Sequence, residues 1–162
     1  MSLAFDPPPA DRPAPGRFLA FATDADSRKA IAMAAAARGW SAPEVLDGGL
    51  EAAHAALLAG PPPALLVIDL SSARAPLAAV DALADLCPAG TGVIAIGQQN
   101  DVGLFRGLRT LGVADYLLKP VDRESIGSAI DSLAGDLPAR APAVPARRAR
   151  VAALVGSRGG AG

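Results

Sequence analysis

Apolar positions along the chain fall into short continuous runs that alternate with stretches of helical spacing. Arg17 to Ala22 is an apolar run of strand length. Asp24 or Asp26 can cap a helix over Ser27 to Arg38, which Gly39 ends. Glu44 to Leu46 is a weak second strand. Leu50 to Ala59 reads as a helix, halted by Gly60 and the prolines behind it. Ala64 to Ile68 is unbroken apolar sequence ending in Asp69, the mark of a strand buried on both faces. Pro76 to Leu86 carries a helical stripe of Leu77, Val80, Leu83 and Leu86. Gly92 to Ile96 is another buried strand. Asp101 to Leu111 is a helix closed by Gly112, Val113 to Leu118 a fifth strand, and Arg123 to Ala134 a fifth helix capped by Asp122.

Strand and helix thus alternate five times between Arg17 and Leu137. Such alternation predicts an α/β domain of three layers, αβα, around a five-stranded parallel sheet with right-handed crossovers. Its length suits a flavodoxin-like strand order, 2-1-3-4-5. A dinucleotide fold is not indicated, because Thr23-Asp24-Ala25-Asp26 follows the first strand where G-x-G-x-x-G would stand.

Outside this domain the composition changes. Residues 1–16 are proline-rich and read as a disordered leader, and residues 138–149 form a linker rich in Pro and Arg. The net charge of -1 gives no bulk attraction to nucleic acid or anionic membrane. No apolar run is long enough to span a bilayer, and the leader lacks the order of a signal peptide. Cys87 is the only cysteine, so no internal disulfide can form and the cytoplasm is the expected compartment. Basic residues are nearly all arginine, with Lys29 and Lys119 the only lysines. A lysine kept in such a chain suggests a task for a compact ammonium rather than a guanidinium fork.

Functional groups of a doubly wound sheet gather at the carboxyl ends of its strands. Three sets of residues fall there: Thr23, Asp24 and Asp26 after the first strand, Asp69 at the end of the third, and Lys119-Pro120 after the fifth. An aspartate and a lysine so placed can form a structural ion pair between strand ends. Alternatively, the lysine can neutralise negative charge added to the aspartate. The other candidates are weaker. His54 stands alone on a helix as a surface residue, Cys87 is a small hydrophobe at a helix end, and Trp40 is a packing residue.

The segments LLVIDL (65–70) and GVADYLLKPVD (112–122) resemble the third and fifth strands of bacterial response-regulator receiver domains. That resemblance implies Asp69 at the phosphoacceptor position, Lys119 at the phosphate-sensing lysine, Pro120 after a cis peptide bond, and Tyr116 at the switch aromatic. From the residues alone, Tyr116 reads as a core aromatic with its hydroxyl at the rim. The departures matter as much. Receivers hold Mg²⁺ with two acidic residues after the first strand, and Ala22 and Thr23 fall at those positions. Asp24 and Asp26 lie just downstream, so Mg²⁺ binding is expected to be weak at best. Where receivers carry a Ser or Thr after the fourth strand, this chain has Gly97.

Residues 150–162 supply a second signal. The apolar run Val151 to Val155 leads into Gly156, Ser157, Arg158, Gly159, Gly160, Ala161 and Gly162. Glycine-rich turns after a buried strand cradle phosphate with backbone N–H groups. The pattern resembles the first half of a deviant Walker A loop of MinD/ParA-type ATPases, with Arg158 at the early signature lysine. A flexible glycine-rich tail is the alternative. The Lys-Ser/Thr half is absent, so ATP binding is expected only for a longer protein.

A degenerate receiver, a proline-rich linker and the start of such an ATPase together resemble the CpaE/TadZ pilus-assembly family. The resemblance implies a non-catalytic interaction and localisation module, without a bound cofactor of its own. It implies protein partners in the pilus assembly and secretion machinery, no nucleic acid, no membrane insertion, and a cytoplasmic location at the cell pole. Pairing with a second copy is expected through the fourth helix, fifth strand and fifth helix, with Leu104, Phe105 and Leu108 as contact candidates and simple core residues as the alternative for each. The alternatives are a working phosphoacceptor receiver and the amino-terminal part of an ATP-binding ParA/MinD-like ATPase.

Overall fold

The computed structural model describes residues 16–40 and 42–134. Five strands and five helices alternate: β1 (Phe18–Ala22), α1 (Ala25–Ala36), β2 (Glu44–Asp47), α2 (Leu50–Ala59), β3 (Leu65–Asp69), α3 (Pro76–Ala84), β4 (Gly92–Gly97), α4 (Val102–Thr110), β5 (Asp115–Leu118) and α5 (Arg123–Ala134). All neighbouring strands pair in parallel, in the order β2-β1-β3-β4-β5. The expected fold class and strand order are therefore observed.

The continuous apolar runs of β1, β3 and β4 are explained by two-sided burial, since successive side chains point to opposite faces. Phe18, Ala20, Ala22, Leu65, Val67, Ile94 and Ile96 face α1 and α5, meeting Ile31, Ala34, Ile126 and Ile130. Leu19, Phe21, Leu66, Ile68 and Ala95 face α2, α3 and α4, meeting Ala53, Leu57, Val80, Leu83, Leu104 and Leu108. Arg38 ties α1 to α5 with a two-pronged pair to Asp131, Nε to Oδ1 at 2.8 Å and Nη2 to Oδ2 at 2.9 Å. Trp40 is buried as expected, its ring tilted on Phe18 at 5.1 Å and its Nε1 donating to the Gly16 carbonyl at 2.8 Å. Gly16, assigned from the sequence to the leader, is thus held against the domain.

Element ends differ from expectation for local reasons. Helix α1 starts at Ala25, two residues before Ser27, because the Asp24 carboxylate is the cap and accepts from the Ser27 N–H at 2.8 Å. Helix α3 stops at Ala84, and Leu86 and Cys87 continue only as tighter turns bonded to Leu83 and Ala84. Strand β5 starts at Asp115 because Val113 still belongs to the close of α4. Its N–H donates to the Leu108 carbonyl, after Gly112 takes a positive φ of 101°. Leu104 and Leu108 lie in the core, so of the three α4 contact candidates only Phe105 is exposed. His54 is exposed and Cys87 half-buried. No helix of the described residues is long and apolar enough to cross a membrane.

Candidate functional site at the carboxyl edge of the sheet

Parallel pairing carries the strand ends to one edge. Asp69 aligns with Ile96 across the β3–β4 ladder, and Gly97 with Leu118 across β4–β5. Thr23 and Asp24 leave β1 beside them, and Lys119 leaves β5. The Lys119–Pro120 bond is cis, as the resemblance implied. Arg28, on the first turns of α1, donates to the Ala22 carbonyl at 3.0 Å and to Asp47 at 2.9 Å, which fixes the end of β1 against β2.

Asp69 is fully buried and its carboxylate is saturated with donors. Oδ2 accepts from the Thr23 N–H at 2.8 Å, the Thr23 hydroxyl at 2.8 Å and the Lys119 ammonium at 2.5 Å. Oδ1 accepts from the Ser71 N–H at 2.9 Å. Lys119, its side chain 9 % exposed, also donates to Asp24 Oδ1 at 2.6 Å and to the Thr23 hydroxyl oxygen at 3.3 Å. One ammonium thus bridges two carboxylates.

The electrostatics follow from this geometry. Burial pushes the Asp69 carboxyl up, but Lys119, Ser71 and the Thr23 N–H outweigh it and bring it down to about 2. Burial likewise raises Asp24, and Lys119 and Ser27 reverse that to a net lowering. Burial lowers Lys119, while Asp24 and Asp69 more than restore it and raise it above its ordinary value. All three groups are held in their charged forms.

The residues at this edge do not form a Mg²⁺ site. Ala22 has no donor atom and points into the core, and Thr23 spends its hydroxyl on Asp69. Asp24 serves as the α1 cap, and the space between Asp24 and Asp69 holds the Lys119 ammonium. Among the described residues no group of three or more His, Cys, Asp or Glu is placed to hold a metal ion. Near-octahedral coordination needs several free oxygens, and the two carboxylates that meet here are already bridged by Lys119.

The structure therefore brings Asp69, Lys119, Thr23 and Asp24 together. Asp26 lines the shallow depression outside them with Gln98 and Pro120. Tyr116 is half-buried beside Gly97, and its hydroxyl donates to the Gln99 carbonyl at 2.9 Å. Ser71 was missed from the sequence, because a backbone N–H donor leaves no side-chain signature. The expected Walker residues, Gly156 to Gly160 and Gly162, lie outside the described residues, as do the linker and residues 1–15 of the leader. Asp24→Ala removes the α1 cap and one of two carboxylate partners of Lys119. It is expected to lower stability by about 1 kcal/mol in urea denaturation.

No protein-family model and no curated sequence matches the chain. Solved structures do. A pilus assembly protein CpaE from Caulobacter crescentus is 36% identical over 73% of this chain and 98% of that one, with a TM-score of 0.65. A CpaE2 pilus assembly protein from Sinorhizobium meliloti is 33% identical over 71% of this chain and 97% of that one, also at 0.65. A response regulator from Thermotoga maritima shares the fold at 17% identity, over 75% and 98% of the two chains, with a TM-score of 0.60.

Proposed function

The chain belongs to the CpaE family of pilus assembly proteins, and on that premise we propose that its receiver-like domain is a non-catalytic interaction and localisation module of pilus assembly. One observation carries the reading. The acid that would accept a phosphoryl group is fully buried, and its oxygens are taken by four donors, one of them a lysine ammonium. Phosphoryl transfer needs a free carboxylate oxygen and a cation to meet the developing charge. Here the carboxylate oxygens are engaged, and the cation is built into the chain. Asp69 and Lys119 act as a pin that closes the sheet edge.

The work is then left to the surface. The face formed by α4, β5 and α5 presents Val102, 65% exposed, with Phe105 at 38% and Leu118 at 41%. Arg106 and Arg109 stand among them, and the Arg109 guanidinium lies 6.0 Å from the Phe105 ring centre. Apolar side chains rimmed by charge suit contact with a protein partner of the assembly machinery or with a second copy of the domain. A location in the cytoplasm at the cell pole fits this role.

The test is titration with beryllofluoride and Mg²⁺, followed by amide NMR, beside imaging of a fluorescent fusion of the protein. No saturable shift is expected. Asp69→Asn should leave the fusion's position unchanged, whereas Phe105→Asp should disperse it. Saturable binding that Asp69→Asn abolishes would make the domain a phosphorylation switch and overturn the reading.

A further inference from the structure

Tyr116 and Gly97 share one space. Gly97 closes β4 and is buried, while Tyr116 sits on β5 opposite Ala95. A Cβ added to Gly97 would stand 2.6 Å from the Tyr116 hydroxyl oxygen, 3.1 Å from Cε1 and 3.2 Å from Cζ. The first distance is too short for any carbon–oxygen contact and the other two are tight, so a methyl group at position 97 requires the hydroxyl end of the ring to move from where it lies. The ring in turn anchors the segment between β4 and α4. Its hydroxyl holds the carbonyl of Gln99, within the exposed Gln98, Gln99 and Asn100. Next comes Asp101, the cap of α4, whose carboxylate accepts from the Leu104 N–H at 3.1 Å and whose carbonyl accepts from the Phe105 N–H at 3.0 Å.

We infer that Gly97 and Tyr116 form a permanent strap, in which the absent side chain admits the ring and the ring hydroxyl holds the β4–α4 segment and the first turn of α4 in one arrangement that does not answer to Asp69. A two-state element needs a second arrangement of similar free energy and a group that biases the two. A hydroxyl-bearing side chain at position 97 would be that group, standing between Asp69 and the ring. Gly97 cannot transmit anything, and it removes the obstacle to the inward ring. Val102 and Phe105, at the start of α4, are thereby presented in a fixed geometry. The inference rests on the reading of Asp69 as a structural pin and deepens it.

Tyr116 is the only tyrosine of the chain, so its signals are unambiguous. Burial, reinforced by the Asp69 charge, raises its ionisation above the ordinary tyrosine value. The full chain is compared with Gly97→Ala and Tyr116→Phe by NMR and by ultraviolet titration of the phenol. The wild type should show contacts between the ring and the Gly97 α-protons. Gly97→Ala should move the ring hydroxyl off the Gln99 carbonyl and bring the phenol back towards its ordinary value. It should also speed amide exchange at Leu104 and Phe105 by roughly five- to tenfold, the effect of losing about one hydrogen bond. Tyr116→Phe should speed the same exchange while keeping the ring inward. The new Cβ displaces the far end of a side chain rather than backbone, so circular dichroism should stay that of a folded domain. Unchanged titration and exchange in Gly97→Ala would overturn the strap. Loss of the contacts between the ring and the Gly97 α-protons on adding Mg²⁺ and beryllofluoride would overturn it too. Beryllofluoride binding that leaves those contacts and the exchange unmoved supports the strap, and overturns only the reading of Asp69.

Discussion

Replacing Lys119 with methionine is expected to destabilise the domain by about 3–5 kcal/mol, the effect of leaving a buried carboxylate without its cation. Methionine keeps much of the aliphatic stem and removes the charge, so the loss reports the ammonium rather than packing. Asp69 keeps the Thr23 N–H, the Thr23 hydroxyl and the Ser71 N–H, but these neutral donors do not replace an ionic partner at 2.5 Å. Asp69→Asn should cost less, about 1–3 kcal/mol. It leaves Lys119 paired with Asp24, and its penalty is an amide N–H turned towards the N–H or hydroxyl donors that surrounded the carboxylate. The two changes should not add. In the double variant the orphaned charge is gone, so its loss should fall at least about 1 kcal/mol short of the sum. Urea unfolding of the four proteins, with the slope checked for constancy, measures this. Strictly additive losses would show that Lys119 and Asp69 do not stabilise each other, and the pin would be lost with them.

The parts of this molecule that could be read from sequence are those in which one residue, or one short run, carries the signal. Leu65 to Ile68 announces a doubly buried strand because every one of its side chains is apolar, and it is found buried on both faces. Helix α2 occupies Leu50–Ala59 because Gly60 and its prolines punctuate it sharply. Asp69 and Lys119 were legible as partners because strand-end placement in a parallel sheet follows from topology alone. The register at the end of β1 was harder. Asp24 falls outside the two expected acidic positions, yet it bridges to Lys119 and caps α1 at once, since Lys119 reaches across two strands. The features that stayed hidden depend on shared space. Gly97 reads from sequence as a missing hydroxyl, and only its distance to Tyr116 shows that the vacant volume is in use. Leu104 and Leu108 stayed open between contact face and core, because helical spacing identifies a stripe without saying which side it packs against; both are core.

The pin should also emerge in the response to acid. Asp69 has a lower pKa in the fold than in the unfolded chain, about 2 against 3.8. A carboxyl of this kind contributes stability that is complete above its unfolded value and is lost as pH falls through its folded value. The gap amounts to about 2 kcal/mol, to be lost between about pH 4 and pH 2. Other carboxylates, among them Glu44 and Asp131, are also held low by arginine partners, so the wild-type profile alone is a mixture. The difference between wild type and Asp69→Asn isolates one site. Asparagine has nothing to titrate, so the advantage of the wild type should shrink through that acid window and stay flat from about pH 5 to pH 8. Lys119→Met should behave differently. Without the ammonium the largest remaining influence on Asp69 is burial, which raises its pKa. The carboxyl should then take up its proton at higher pH, read directly by ¹³C NMR of the carboxyl carbon. Part of the loss caused by Lys119→Met should accordingly be recovered on mild acidification, because a protonated Asp69 no longer leaves a buried charge uncompensated. A carboxyl that titrates alike with and without Lys119 would mean that the four donors are not ranked as the geometry ranks them.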